Sequence, residues 1–232
     1  MVSLMLIADL HIHSVYSDGK ASPREIIRHA LIRGINVLSI TDHDTFKGGL
    51  EGYRFSREIA RNTSDSKILV IPGIELRSYN GDILVYCEND VELPREVGLL
   101  IDKAHENNCV VVPAHPFDTW RHGLGDAVYD YEGWDAIEVW NAHASRNANR
   151  RALEASRIMG KPGIANSDAH IPEHVGSAYT YILIEDASSI TEVLDALRKG
   201  LVKPHQGGLS LKDNIERVAW SIEYRVRKIL GD

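Results

Sequence analysis

Apolar runs of strand length alternate with amphipathic stretches of helical period along this chain of 232 residues. Continuous apolar runs of this kind are typical of strands that are buried on both faces. The repeated order of strand and helix favours a parallel sheet or a closed barrel. The predicted strands cover residues 4–10, 35–40, 67–76, 82–87, 109–115, 135–142 and 178–184, with a short strand within 161–170.

The stretches between these runs predict helices. Ser22, Pro23 and Glu25 fit a capping box with proline in the first turn, so the first helix begins there and ends before Gly34. The segment NTSDS is predicted as a loop, and residues 117–133 fit no single element. The other predicted helices cover about 48–62, 94–107, 147–159, 188–199 and 209–230.

The last predicted helix carries an apolar stripe at helical spacing. We interpret it as a helix that packs on the body of the protein, since its charges are mixed in sign and fit a membrane-surface or partner helix less well. No linker of distinct composition divides the chain, so we predict one domain over residues 1–232. The stripe consists of Leu211, Ile215, Val218, Ile222, Val226 and Ile229.

Composition narrows the classes of partner and the compartment. The net charge of −7 argues against bulk electrostatic binding to nucleic acid or an anionic membrane. No apolar run approaches the length of about 20 residues that a membrane-spanning helix needs. The start, MVSLMLIADLHIH, lacks a charged n-region, so we expect no signal peptide and a cytoplasmic location. Cys87 and Cys109 then fit two buried free thiols, although the sequence leaves a disulfide open.

Ionisable side chains recur at one place in the pattern, directly after a predicted strand. The carboxyl ends of the strands in a β/α barrel meet on one face, so we expect these clusters to form one cleft. The clusters are His11, His13 and Asp18 after the first strand, Asp42 and His43 after the second, and then Glu75, His115, and Asp168 with His170.

Histidine and carboxylate side chains are ligands of zinc, manganese and iron. His11 and His13 are two residues apart, so an extended backbone projects both imidazoles to the same side. Scattered core histidines with local partners are the alternative for any one of them, but this many clusters indicate a metal site. The set exceeds the needs of one ion, so we expect two or three, which suits hydrolysis of a phosphoester.

The motifs DLHIHSVYSDG, TDHDT, PGIE, AHPF, EVWN and NSDAH occur in this order over about residues 9–180. In this respect the sequence resembles the PHP family, the polymerase and histidinol phosphatase domain. The resemblance implies an α/β fold, a distorted (β/α)7 TIM-like barrel, with a trinuclear metal site at the carboxyl ends of the strands. It also implies phosphoester hydrolysis.

The resemblance assigns ligands position by position. His11, His13, Glu75 and Asp168 look like the ligands of one ion, and Glu75 looks like a bridge to a second ion that also takes His115. The third ion's ligands look like Asp18, His43 and His170.

One position departs from the family pattern. Family members usually offer a histidine in the short strand after the GIE segment, and here that strand reads NGDILVY. Asp82 is the nearest replacement as a ligand, although aspartate beside glycine is equally typical of a turn.

Residues outside the ligand set complete the predicted site. Asn141 follows the IEVW strand, and Arg121 and Arg146 lie in or near predicted loops, so we name these three as substrate-binding candidates. Asp42 is expected to support His43 or to cap the local turn. Core or rim packing is the expected role of Trp120, Trp134 and Trp140, and stacking on a nucleobase is the alternative.

These features predict a metal-dependent phosphoesterase that hydrolyses a small phosphate ester, a phosphomonoester or nucleotide, with a metal-bridging hydroxide. Two or three ions of manganese, zinc or iron are expected, and Asp18 or His170 is the candidate to protonate the leaving group. A nuclease acting on short oligonucleotides is the alternative. An amidohydrolase-type C–N hydrolase and a non-catalytic scaffold rank lower, and the oligomeric state is left open.

Overall fold

The computed structural model describes residues 5–62 and 68–230, and most of the predicted NTSDS loop, residues 63–66, lies outside these ranges. The strands are β1 (Leu6–Asp9), β2 (Val37–Ile40), β3 (Leu69–Arg77), β4 (Asp82–Tyr86), β5 (Val110–Pro113), β6 (Ile137–Asn141), β7 (Gly163–Asn166), β8 (Tyr179–Ile182) and β9 (Val202–His205). The α-helices are α1 (Pro23–Ile32), α2 (Lys47–Asn62), α3 (Val97–Glu106), α4 (Arg146–Met159), α5 (Ile190–Arg198) and α6 (Leu211–Leu230).

Seven strands form a curled half-barrel sheet in the order β5-β4-β3-β2-β1-β8-β9, and β6 pairs with β7 separately. This α/β architecture confirms the predicted distorted TIM-like barrel. The sheet is mixed, however: β1, β2 and β3 are parallel neighbours, whereas β4, β5, β8 and β9 run antiparallel to their partners. The expectation of a parallel sheet is wrong here, because the four-residue connection between β3 and β4 is too short for a parallel crossover.

The β6–β7 pair lies across the gap between the two edges of the curled sheet. Asp135 N donates to Val111 O of the edge strand β5 at 3.0 Å, and Ile12, which follows the interior strand β1, forms a parallel bridge with Ala169. The Asn166 side chain accepts from Leu10 N at 3.0 Å. These contacts bring the ends of β1, β5 and β7 to one face of the barrel.

The predicted start of α1 is confirmed. Ser22 Oγ accepts from Glu25 N, and Glu25 Oε2 accepts from Ser22 N at 2.9 Å, which completes the capping box. A cap of this kind stabilises a helix by about 1 kcal/mol. Ile26 and Ile27 on its inner face are buried against the sheet.

The α6 helix packs with a different face from the one predicted. Trp220 is buried and its indole N–H donates to Asp18 O at 2.8 Å, while the Tyr224 hydroxyl donates to Ser17 O at 3.1 Å. A polar and aromatic stripe that includes Asp213 therefore faces the barrel. The apolar stripe predicted to pack is exposed at Leu211, Ile215, Val218, Ile222, Val226 and Ile229.

Cys87 and Cys109 form a disulfide, so the interpretation of two free thiols is wrong. Tyr86 pairs with Val110 across β4 and β5, and antiparallel register then places the next two residues opposite each other, with 4.5 Å between their Cα atoms. Sequence reasoning could not supply this register. Disulfides are typical of oxidising compartments and of hyperthermophiles, so the cytoplasmic location stays a prediction.

Among the described residues, no helix combines the length and the apolar character needed to cross a bilayer.

Candidate metal centre

The predicted ligand residues meet at the carboxyl ends of the strands. His11 and His13 follow β1, His43 follows β2, Glu75 lies within β3, and His115 follows β5. Asp168 and His170 follow β7, and Asp18 lies in the loop before α1.

Glu75 is the centre of the first half of the site. This carboxylate is buried, and its Oε1 lies 3.0 Å from His115 Nε2. Its other oxygen faces three imidazoles at once. Glu75 Oε2 lies 3.2 Å from His11 Nε2, 3.1 Å from His13 Nε2 and 3.2 Å from His43 Nδ1. The two oxygens therefore point to different ligand sets, which is the geometry of a bridging carboxylate.

Asp168 is the centre of the second half. Its Oδ1 lies 3.5 Å from His11 Nε2, 3.3 Å from His13 Nε2 and 3.6 Å from His170 Nδ1. Its Oδ2 accepts from the side chains of Arg121 and Asn141. One oxygen therefore faces the histidines, while the other is held by two donors.

Asp18 closes the outer side of the cluster. Its Oδ1 lies 3.6 Å from His13 Nδ1, and its Oδ2 lies 3.7 Å from His43 Nε2 and 3.4 Å from His170 Nε2. Burial alone would raise the pKa of this carboxyl group, but the surrounding histidines outweigh it and lower the pKa. Asp18 therefore stays ionised.

One group of ligand atoms adds His143 to Asp168 and His170. Three further overlapping groups consist of the predicted ligands alone, and within each group the atoms lie no more than 4.8 Å apart. They are His11 with His13 and Asp168, His11 with Glu75 and His115, and His13 with Asp18, His43 and His170.

The unpartnered atoms of the cluster test whether a metal fits. His11 Nε2, His13 Nε2, His43 Nδ1 and Asp168 Oδ1 are buried, and the described residues offer them no hydrogen bond. Buried polar atoms without partners are costly, and these are the atoms that converge. Divalent ions of the zinc, manganese or iron class would satisfy them, so the donor set fits the predicted metals.

The carboxylates of the cluster act on the protonation of His13. Burial acts to lower the pKa of His13, but Asp168 and Glu75 raise it to about 10. Metal ions therefore compete with protons for these nitrogens, because only the neutral imidazole coordinates.

Asp82, the predicted replacement ligand, does not join any of the three groups. Its Oδ1 accepts from Arg77 Nε at 3.3 Å and lies 3.1 Å from His122 Nδ1. Burial, followed by the nearby Glu75, raises its pKa. The carboxylate is thus occupied by an ion pair beside the cluster.

The three predicted substrate-binding residues lie at different depths. Asn141 is fully buried, and its amide joins Asp168 to Glu138, with hydrogen bonds of 2.9 and 3.1 Å. Arg121 reaches the cluster, donating to Asp168 and, at 3.3 Å, to Asn141 Oδ1. Arg146 is exposed in the first turn of α4, at the rim of a cleft of about 730 Å³ beside Asn141.

Glu138 is a buried site residue that the sequence analysis missed. Its Oε1 accepts from Asn166 Nδ2 at 2.9 Å and lies 3.0 Å from His11 Nδ1, and its Oε2 accepts from His115 N at 2.6 Å. Burial would raise the pKa of Glu138, but His11 outweighs it and lowers the pKa. Such a carboxylate orients a metal-binding imidazole. The sequence feature that could have revealed Glu138 is a single charged residue inside the apolar EVW strand.

His143 and Arg217 were also missed. His143 borders the same cleft, its ring centroid lies 6.1 Å from that of His170, and burial holds its pKa well below the usual value. Arg217 projects from α6, and burial together with the neighbouring Arg121 lowers its pKa. His143 follows β6 within two residues, which is the same local signal as for the predicted ligands, whereas nothing in the local sequence connects Arg217 to the strand ends.

Asp42 lies near the ligands and holds a neighbouring loop through hydrogen bonds. Asp42 accepts from Ser14 N and Ser14 Oγ, both at 2.7 Å, so it shapes the loop that carries Asp18. The same loop requires Gly19, because a Cβ atom there would lie 2.1 Å from His13 O.

Asp9 lies outside the ligand groups. Its carboxylate accepts from Ser167 N at 3.0 Å and from Gly176 N at 2.8 Å. It therefore holds the segment that carries Asp168.

An α/β barrel with clustered histidines and carboxylates at its strand ends is the framework of a metal-dependent hydrolase. Comparison with known families agrees, since the PHP domain matches residues 9–159 and the PHP-associated family matches residues 146–202. The chain belongs to the PHP family, whose hydrolases act on phosphoester bonds.

Individual relatives show how far the similarity extends. An uncharacterised protein of Methanocaldococcus jannaschii is 30% identical over 59% of this chain and 82% of its own length. A 5'-3' exoribonuclease of Haemophilus influenzae is 40% identical over 60% of this chain, which spans 48% of that enzyme. A two-domain protein of Bacteroides vulgatus, containing a predicted PHP-like metal-dependent phosphoesterase, superimposes with a TM-score of 0.69 at 20% identity, covering 88% of this chain and 65% of that one.

Proposed function

We propose that this chain hydrolyses a small phosphate ester, a phosphomonoester or nucleotide, with two or three divalent ions held by the overlapping groups described above. One observation carries the proposal: His11, His13, His43 and His115 converge on the two oxygens of one buried carboxylate, Glu75. Bound ions would neutralise charge on the phosphoryl oxygens and lower the pKa of an attacking water molecule.

The ligand groups differ in the number of residues that they contain. Asp168 completes a group with His11 and His13, and Asp18 completes a group with His13, His43 and His170. The position between Glu75 and His115 lacks the further ligand that Asp82 would supply, because Asp82 pairs with Arg77 instead. We propose this position as the weakest of the three and manganese, zinc or iron as the ions.

Asp18 and His170 are the two proposed donors of a proton to the leaving group, and both also belong to one ligand group. Asp18 is enclosed by His13, His43 and His170, so both of its oxygens face ligand positions. The His170 ring lies between Asp18 and His143, and His143 borders the cleft. A proton donor must reach the substrate with an N–H or O–H that no ion occupies, so the role falls to whichever of the two does not coordinate an ion.

Two arginines supply the positive charge that a phosphate group needs. Arg121 is tied to Asp168, and Arg217 from α6 approaches it closely enough for each charge to act on the other. Like charges held together this way are stabilised when an anion binds between them. The described residues offer Arg217 Nε no partner, so it remains available to a phosphate oxygen.

Substitution of Arg217 by alanine is expected to raise KM for a phosphomonoester by about 10- to 100-fold with a small change in kcat. A hydrogen bond to a charged group contributes about 1.5–3 kcal/mol, and this one would act on the ground state and transition state alike. Steady-state kinetics test this, with the exposed Arg225→Ala on the same helix as the control. An unchanged KM would remove Arg217 from the phosphate site.

A nuclease acting on short oligonucleotides is the second candidate, favoured by Trp120. Its side chain is 98% exposed, and it neighbours Arg121 in the 3-10 helix Thr119–Arg121. Exposed aromatic rings beside a phosphate site are suited to stacking on bases. The similarity to an exoribonuclease also supports this reading. Trp134, in contrast, is buried, and Trp140 donates to Gly207 O at 2.7 Å.

A substrate panel distinguishes the two candidates. Metal-loaded protein is assayed with p-nitrophenyl phosphate, bis-p-nitrophenyl phosphate, nucleoside monophosphates and short oligoribonucleotides with and without a 5'-phosphate. The proposal expects the highest kcat/KM for a phosphomonoester. A preference for oligonucleotides would favour the nuclease, and hydrolysis of none of them would refute both.

Substitution of Trp120 by alanine gives an independent criterion. Stacking on one base contributes about 1–3 kcal/mol, so a nuclease should lose about 5- to 150-fold in kcat/KM on oligonucleotides. Activity on a small phosphomonoester is expected to stay unchanged, since the proposed phosphate site is formed by the arginines and not by Trp120. A loss that is equal on both substrates would mean that Trp120 acts through folding or through Arg121.

A further inference from the structure

A second cluster of ligand-type side chains lies where α6 meets the segment after His170. His174 ends the 3-10 helix Pro172–His174, and Asp213 and Glu216 lie near the start of α6. One ligand atom from each of these three residues lies within 4.8 Å of the other two. None of them belongs to the groups at Glu75 and Asp168.

His174 distinguishes this cluster from a pair of surface acids. Its side chain is 1% exposed, and the described residues give neither Nδ1 nor Nε2 a hydrogen bond. An imidazole buried with both nitrogens unpartnered is costly unless something else binds it. Burial also lowers the pKa of His174, which keeps the ring in the neutral form that coordinates metals.

Each of the two carboxylates has one oxygen that its contacts within α6 and its cap do not use. Asp213 Oδ2 accepts from Ser210 N at 2.8 Å as part of the helix cap, which leaves its Oδ1. Glu216 Oε1 lies 3.5 Å from Lys212 Nζ, which leaves its Oε2. The two acids are three positions apart, so they share one face of α6, and that face is turned towards His174.

We propose that His174, Asp213 and Glu216 bind one divalent ion of the zinc class, separate from the catalytic ions. Three protein ligands leave a fourth position for water in a tetrahedral site. One imidazole with two carboxylates favours zinc over magnesium, which prefers oxygen ligands and retains its water.

The ion would fasten a helix that is otherwise weakly anchored. Trp220 alone is buried among the residues of α6, all of which the structure describes. The same helix contacts the backbone of Ser17 and Asp18 and carries Arg217. A bound ion therefore holds the position of α6 over the catalytic cleft.

Metal content of the Glu216→Gln variant tests the proposal. Wild-type protein and variant are saturated with Zn²⁺, desalted and analysed for metal and protein. We expect the variant to retain one ion fewer per chain, with at least about 10- to 100-fold weaker binding at the lost site. Glu216 is partly exposed, so the substitution leaves folding intact. Glu223→Gln, which also removes an acid from α6, should retain the wild-type number.

Hydrogen exchange provides a second readout, independent of catalysis. Zn²⁺ should slow exchange in residues 211–224 of the wild type and of Glu223→Gln, but not of Glu216→Gln. Equal metal content and equal protection in Glu216→Gln and the wild type would overturn the proposal. Loss of an ion in Glu223→Gln as well would overturn it too, because that points to binding by scattered surface acids.

Discussion

Replacing Glu75 by glutamine is expected to reduce phosphoester hydrolysis by at least about 10³-fold and to reduce the number of bound ions. Metal coordination contributes several kcal/mol of charge stabilisation in the transition state, and each 1.4 kcal/mol corresponds to about tenfold in rate. The amide keeps the size of the carboxylate but carries no charge. Four imidazoles that now face Glu75 would face a neutral side chain whose nitrogen cannot coordinate.

Metal analysis and kinetics on the same samples check this expectation. Glu154→Gln, an exposed position on α4, is the matched control and should behave as wild type. Circular dichroism establishes that the Glu75 variant is folded. A folded Glu75→Gln protein with its full complement of metal and its full rate would show that Glu75 is no bridge.

Replacing Glu138 by glutamine should weaken metal binding by about 10- to 100-fold, as is typical for partners that orient a ligand histidine. Glu138 fixes His11 through Nδ1 and so directs Nε2 towards Glu75 and Asp168. The amide offers only one acceptor oxygen to the several donors that the carboxylate now satisfies.

Activity as a function of metal concentration separates a positioning role from a structural one. With a positioning role, Glu138→Gln needs more metal for half-maximal activity, and excess metal restores much of kcat. A structural role predicts a lower Tm and a reduced fraction of active protein at every metal concentration. If Glu138→Gln reached half-maximal activity at the same metal concentration as the wild type, this result would contradict the account.

Most of the proposed ligand set could be predicted because its members lie at or just after the end of an apolar strand. Alternation in HIH and the position of Asp168 after β7 are local properties of the chain, and barrel geometry then brings strand ends together. Glu138 escaped because its role depends on a contact with His11, 127 positions away. Arg217 escaped for the same reason, since α6 had to be placed before its side chain could be.

The misjudged parts of the fold share a cause. Apolar periodicity predicts that α6 is amphipathic but not which face meets the barrel, and hydrogen bonds from Trp220 and Tyr224 decide for the other face. A hydrophobic run likewise does not indicate whether a strand is parallel or antiparallel to its neighbours. Antiparallel pairing of β4 with β5 then determines that Cys87 meets Cys109.

Metal dependence of phosphomonoester hydrolysis tests the central claim most directly. Protein stripped with a chelator is titrated with Mn²⁺, and release of p-nitrophenol from p-nitrophenyl phosphate is followed together with the number of ions bound. The account predicts no turnover in the stripped protein and a rate that rises as ions bind, to a plateau. Full activity in the presence of excess chelator would contradict it, as would inactivity of the folded protein with manganese, zinc and iron alike.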